Sequence, residues 1–486
     1  MQGIFAIRRG MLAAAAVATG MLLAACGGGG GDTTSSYVPR GSASSVAAAS
    51  VTGPIAVKAP PGDASHDYPQ LATQANLAAS GYVAEEYFIE GTASRYQTPD
   101  LATGSVLSSG HPYTSRLIVR RPTDSGRFNG VVVVEWVNVT SGYNLDALWQ
   151  SSADFFMRYG YAYVGVSAQR VGVHQAATGL RSWSPTRYGS LDVTAGGTIN
   201  DDSLSYDVFA QAAKAIATPG RVDPLGGLAG RRTLLASGVS QSEGRLVTYY
   251  NSIEPLHRLF DGYYLFLGIG PKLRTDIDVK ALKINTENDV LLLREGSARQ
   301  DDSDRLRTWE IAGASHVSFS SGAVRTPLLV RDALPVASTA CDRPALSRVS
   351  PGPVLNVGYP QLVRWLQGGE APPVAPRIEL ATVGTATTPS VAVRDARGNA
   401  LGGIRLPEHA VPTATNTGVN SGSGFCLLYG SHEPFDAATV KALYPTHAAY
   451  VGAVGVSARA NVSAGFMLPE DAERIVQAAD TSTVGN

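Results

Sequence analysis

The sequence predicts an α/β fold built on a mostly parallel, doubly wound sheet. Two observations predict it. From about residue 84 onward, short apolar runs alternate with longer amphipathic segments. Several of the short runs also lack polar alternation, as expected of strands buried on both faces. Strands alternating with helices join through right-handed crossovers, which place helices on both sides of the sheet.

The elements follow in order. Residues 87–89 and 114–120, the latter alternating around Leu117 and Val119, are expected as half-exposed edge strands. Val131-Val132-Val133-Val134 is a continuous β-branched run and reads as a buried strand. Helical periodicity follows over 146–158, then a buried strand over 161–166. Residues 203–216 read as a helix ended by Pro219-Gly220. A strand over 232–236, a helix over 244–253 and strands over 263–267, 279–284 and 308–311 complete the pattern. Beyond Cys341 the signals change. A helix over 359–366 closes at Gly368-Gly369, and Pro372-Pro373 break the chain. Residues 390–430 are rich in Gly, Thr, Ser and Pro, and two terminal helices are expected over 437–443 and 469–479.

Composition narrows the function classes. The chain has 486 residues, with 39 basic against 40 acidic side chains. A balanced charge argues against a nucleic-acid partner, which calls for a basic excess or stripe. With 53 Gly and 28 Pro the architecture is loop-rich, not a helical bundle.

The N-terminus reads as a targeting segment. Arg8 and Arg9 precede an apolar run over 11–25, which ends in Leu23-Ala24-Ala25-Cys26. That ending resembles a bacterial lipobox, in which the Cys thiol is lipidated and becomes the mature N-terminus. An ordinary signal peptide cut after a small-residue site is the alternative. The lipobox reading is favoured because a Gly27–Gly31 spacer follows, and a glycine run is a flexible tether. The expected organisation is a lipoprotein signal peptide over 1–25, a tether over 26–55, a core over 56–340 and a loop-rich C-terminal extension over 341–486 packed on that core. The expected location is the cell envelope, periplasm or outer membrane of a Gram-negative bacterium, with the membrane reached through the lipid. Cys341 and Cys426 are the remaining cysteines. In an oxidising compartment a disulfide between them is expected, with two buried free thiols as the alternative.

The chemistry sits at strand ends. Leu234-Leu235-Ala236-Ser237-Gly238-Val239-Ser240-Gln241-Ser242-Glu243-Gly244 is a buried strand, a turn of small residues and a helix start. It resembles the nucleophile elbow of α/β hydrolases, G-x-S-x-G. The elbow needs small residues two positions either side of the nucleophile, because larger ones meet neighbouring backbone. Ser242 stands where the second glycine is usual. A second register centred on Ser242 exists; Ser240 is favoured, since Gly238 then fills the more crowded slot. In that register the Gln241 N–H opens the helix toward a developing oxyanion. A Ser-rich turn capping a helix is the plain structural alternative.

Lys283-Ile284-Asn285-Thr286-Glu287-Asn288-Asp289 then ends a strand with two carboxylates in its exit loop. Either could orient an imidazole; Asp289 is favoured over Glu287 by spacing. Trp309-Glu310-Ile311-Ala312-Gly313-Ala314-Ser315-His316 ends the last strand and presents one of eight histidines, the candidate general base. The chain order Ser, Asp/Glu, His is that of α/β hydrolases. A second oxyanion donor is expected from the loop after residue 134, through the main-chain N–H of Asn138 or Val139.

The chain resembles a bacterial group of exported α/β-hydrolase-domain proteins from about residue 84 to its end. The elbow carries this resemblance, with Val133-Val134-Glu135-Trp136-Val137-Asn138-Val139, Gly165-Val166-Ser167-Ala168-Gln169 and Arg187-Tyr188-Gly189. Trp309-Glu310-Ile311-Ala312-Gly313 and Gly402-Gly403-Ile404-Arg405-Leu406-Pro407 carry it further. It implies an α/β-hydrolase fold and says little of the substrate; the strand-end residues predict a serine hydrolase acting on a small-molecule ester through an acyl-enzyme. No metal or cofactor is expected: HExxH, paired-Cys and dinucleotide fingerprints are absent from the sequence. An amidase or peptidase using the same triad, or a non-catalytic surface protein on a hydrolase scaffold, are the alternatives.

Overall fold

In a computed structural model, residues 38–230, 232–385 and 387–486 are described. The expected signal segment and Cys26 lie outside the described residues. Valine-rich and aromatic runs pair into a sheet of nine strands among the described residues. These are β1 (Ser50–Thr52), β2 (Tyr82–Gln97), β3 (Ser105–Pro122), β4 (Val131–Trp136), β5 (Ala162–Val166), β6 (Thr233–Val239), β7 (Gly262–Phe266), β8 (Lys280–Thr286) and β9 (Leu306–Ile311). Their order is β1-β2-β3-β5-β4-β6-β7-β8-β9. The six strands from β5 to β9 are mutually parallel, and β1, β2 and β3 add an antiparallel margin.

Strand periodicity explains why the parallel strands read as unbroken apolar runs. Val131 and Val133 face one core with Leu235, Tyr264 and Trp309, beneath helices Ala147–Tyr159 and Gly352–Leu366. Val132 and Val134 face the other core with Leu234, Ala236 and Tyr263, beneath helices Ser205–Ala217 and Gln241–Thr248. Both faces are covered, so apolar residues dominate, and the buried polar ones are few, such as Glu135, which accepts from Tyr163 Oη at 2.6 Å.

The direction of winding reverses beside β4. The chain crosses from β4 to β5 on one side and later enters β6 on the other. In open α/β sheets the crevice beyond the carboxyl ends of the strands at this switch is where ligands bind. The loops following β4 and β6 carry Asn138-Val139 and Ser240 respectively, so the candidate residues converge there.

Two expectations need correction. Residues 114–120 are not half-exposed: Ser115, Arg116, Leu117, Ile118, Val119 and Arg120 are all buried. Their polar members are neutralised by partners, Arg116 with Glu86 and Arg120 with Asp146 at 2.6 Å. Alternation here reflects buried ion pairs, not water. The tether expected over 26–55 also ends earlier. From Arg40 onward this segment packs on the body: Arg40 pairs with Glu254 at 3.0 Å, Val46 and Ala49 are buried, and β1 pairs with β2. Small Ala, Ser and Gly residues read as linker, but they are what close packing against helix Ser205–Ala217 needs; a Cβ on Gly41 would meet Ala217 Cβ at 2.8 Å.

Residues 341–486 belong to the same compact unit as the sheet. Helix Gly352–Leu366 covers β7 and β8, and its Tyr359 ring stacks on Tyr264 at 4.1 Å between centroids. Ile404 bridges β9 as a parallel extension: its N–H donates to Glu310 O at 2.7 Å and its carbonyl accepts from Ala312 N–H at 3.0 Å. This covers a sheet edge that would otherwise present unpaired backbone groups. Cys341 and Cys426 are joined in a disulfide with Cα atoms 5.5 Å apart.

Candidate active site

Ser240 sits between β6 and helix Gln241–Thr248 with φ 58° and ψ −121°. A non-glycine residue in that region is strained and persists only where its surroundings hold it. The hold is visible. Ser240 N–H donates to Phe266 O at 3.0 Å, and Ser242 Oγ accepts from Val239 N–H at 2.9 Å while facing Val239 O at 3.0 Å. Ser242 is fully buried and engaged with its own turn, so the second register is not presented to solvent. Gly238 is required by contact: a Cβ there would lie 2.8 Å from Ser242 O. The glycine usual at position 242 is dispensable because the serine hydroxyl closes the turn from inside.

His316 Nε2 lies 2.7 Å from Ser240 Oγ, and His316 Nδ1 lies 2.6 Å from Asp289 Oδ1. Asp289 is an acceptor only, so Nδ1 carries the proton and Nε2 is free to accept from the Ser240 hydroxyl. The other oxygen of Asp289 accepts from Thr286 N–H at 2.6 Å and Thr286 Oγ1 at 2.8 Å, a capping box on the short helix Glu287–Leu291. Asp289 is wholly buried, so its carboxylate has no orientation to choose.

Glu287 is not brought to His316. Its carboxylate accepts from Gly313 N–H at 2.7 Å and Gly418 N–H at 3.1 Å, and pairs with Arg394 at 2.7 Å. It is a buried anchor that ties the His316 loop to residues 394–418. Between the two carboxylates at the end of β8, helix geometry decides: residue 287 opens the turn and points to the next loop, and residue 289 points back to the strand end.

The oxyanion expectation is corrected in one part. Asn138 N–H donates to Leu145 O at 3.1 Å and is therefore spent. Its side chain does something else: Nδ2 donates to Val239 O at 2.9 Å and Oδ1 accepts from Thr140 N–H at 2.9 Å. Asn138 thus clamps the loop after β4 to the residue preceding Ser240. The Val139 N–H donates to no acceptor among the described residues, and the Gln241 N–H, first in its helix, has no intrahelical acceptor.

Ser240 and His316 open into a cleft of about 850 Å³, counting its mouth. Apolar side chains line most of it, including Leu145, Leu267, Leu329, Leu346, Phe425 and Leu428, with Tyr143, Tyr429 and Arg325 as polar members. Sequence reasoning missed these. Arg325 lies on helix Phe319–Arg331, whose Gly322 and internal Pro327 mask its periodicity. Phe425, Leu428 and Tyr429 lie in the Gly- and Ser-rich stretch where no regular element is legible. Among the described residues no group of three or more His, Cys, Asp and Glu side chains could hold a metal ion.

A strand–elbow–helix beside the switch point of a parallel sheet, with a serine, an imidazole and a carboxylate in line, defines the α/β-hydrolase class. Residues 51–477 match the family described as the alpha/beta hydrolase domain, and the chain belongs to it. No curated protein matches the chain. Among solved structures, the esterase Est22 is 12% identical and aligns over 52% of this chain and 79% of its own, with a TM-score of 0.30. A lidless α/β serine hydrolase from Xanthomonas campestris is 15% identical over 51% of this chain and 97% of its own, with a TM-score of 0.28.

Proposed function

We propose that the protein is a carboxylic-ester hydrolase working through an acyl-enzyme on Ser240. The observation that carries this reading is the unbroken relay from Ser240 Oγ to His316 Nε2 at 2.7 Å and from Nδ1 to Asp289 at 2.6 Å, at the head of an apolar cleft. Ser240 Oγ attacks the ester carbonyl as His316 takes its proton, and Asp289 stabilises the imidazolium that forms. The N–H groups of Gln241 and Val139 receive the negative charge of the tetrahedral oxygen. The imidazolium then protonates the departing alcohol, and a water activated by His316 releases the acid.

A fluorophosphonate probe tests it. The expected result is a single adduct that peptide mass mapping places on Ser240, absent in Ser240→Ala together with hydrolysis of a p-nitrophenyl butyrate substrate. An adduct on Ser242, or turnover surviving in Ser240→Ala, would overturn it. Matched ester and amide substrates separate this reading from an amidase or peptidase. An envelope location belongs to the same reading: radiolabelled palmitate should enter the full chain and be lost in Cys26→Ser, and a soluble unlabelled wild type would remove the anchor from it.

A further inference from the structure

Arg325 lies in the wall of the cleft that contains Ser240 and His316. Among the described residues its buried Nε has no hydrogen-bond partner and no carboxylate pairs with its guanidinium. The acids around it are all committed. Asp146 is bound by Arg120 at 2.6 Å, Asp289 by His316, and Asp332, just past the end of the same helix, by Arg331 at 2.6 Å. Among the described residues no Asp or Glu lines the cleft, so Arg325 is a charge there without a counter-charge among them. A guanidinium remains protonated at neutral pH, and a partly buried one without a counter-ion is costly unless something supplies the anion. Burial indeed pushes Arg325 below its usual range, while Tyr143 and Tyr429 beside it are pushed up by burial and stay neutral donors.

Resting on the ester-hydrolase reading, we infer that this cleft selects esters carrying a carboxylate, which Arg325 binds while the apolar walls hold the rest of the substrate. A carboxylate suits the site better than a phosphate: one planar fork matches one carboxylate in a two-bond contact, and no second cation lines the cleft to neutralise a dianion. The carboxylate could sit on the acyl or the alcohol part, and the test has an arm for each.

In the acyl arm, methyl hydrogen adipate is compared with dimethyl adipate. In the alcohol arm, 4-carboxyphenyl butyrate is compared with phenyl butyrate. At 0.15 M chloride the expected kcat/KM ratio favours the anionic ester by at least roughly tenfold in one arm, as charge-assisted contacts allow. That ratio should fall to near unity in Arg325→Gln and recover in part in Arg325→Lys. The melting temperature of Arg325→Gln should stay level or rise, because no partner charge is left behind; a structural arginine would lower it. A ratio near unity in both arms, or one that survives Arg325→Gln, overturns the inference even if Ser240-dependent hydrolysis of the neutral esters stands. Should no ester be hydrolysed and no probe adduct form, the ester-hydrolase reading falls. Calorimetric binding of adipate and of 4-hydroxybenzoate to Ser240→Ala, with and without Arg325→Gln, then decides the site: loss of binding with the arginine supports it, and binding of neither acid, or binding indifferent to the arginine, refutes it.

Discussion

Ser240 and His316 stand 2.7 Å apart, yet unlike parts of the molecule position them. Ser240 is held by short-range structure: the end of β6, the Gly238 contact, the Ser242 hydroxyl and the neighbouring strand at Phe266. His316 hangs in a loop whose supports arrive from far along the chain. Val317 N–H donates to Leu428 O at 2.9 Å, Ser347 Oγ to Gly313 O at 2.5 Å, and Gly313 N–H to Glu287, itself fixed by Gly418 and Arg394. Gly313 has φ 75°, and a Cβ there would meet His409 Nδ1 at 2.3 Å, so the extension presses directly on the loop. A sheet can build a nucleophile elbow from local sequence. A histidine loop needs a clamp, and here residues 341–430 provide it.

That contrast can be broken by substitution. The largest effect is expected from Asp289→Asn, which keeps the packing but imposes the wrong imidazole tautomer; kcat for a neutral ester should fall about 10⁴-fold with the melting temperature little changed. Glu287→Gln should do the reverse. It leaves Arg394 without its buried counter-charge, costing about 3 kcal/mol of stability by denaturant titration. Activity per folded molecule should survive far better than in Asp289→Asn. If Glu287→Gln instead abolishes turnover while the fold stays intact, the division between the two carboxylates is wrong. Replacing Cys341 and Cys426 together by serine should cost about 2–4 kcal/mol, since the disulfide closes a long loop in the unfolded chain. Phe425, next to Cys426, is a cleft wall, so KM should rise more than kcat falls. The smallest effect is expected from Asn138→Ala. Freeing the loop after β4 from Val239 should lower kcat about tenfold with KM nearly unchanged, because the misplaced donor serves only the tetrahedral state.

Much of the fold was legible because its signals are local. The buried strands at 131–136, 162–166 and 233–239 show in the sequence as apolar runs read over 131–134, 161–166 and 232–236. The helix over 147–159 ends at Gly160 in the left-handed region. Ser240, Asp289 and His316 were legible for a related reason: each sits where a strand ends, in an order the topology sets. What failed was whatever depends on distant partners. The strand over 114–120 carries charges satisfied by Glu86 and Asp146, which local polarity reads as exposure. The segment from residue 40 looks like linker until a helix lies against it. Helix Phe319–Arg331 is broken in pattern by Pro327 but held in place by Leu328 and Leu329 in the core.

The sequence by itself determined the class of fold and marked the three strand-end residues as candidates, because burial on both faces and tight turns leave marks within a few positions. Only the tertiary structure brought Asp289 and not Glu287 to His316, spent the N–H of Asn138 on Leu145 while leaving that of Val139 without an acceptor among the described residues, and set Arg325 in the cleft without a partner among them. Each of those outcomes turns on the direction of a hydrogen bond or the absence of a counter-charge, and such facts exist only once remote segments are packed together.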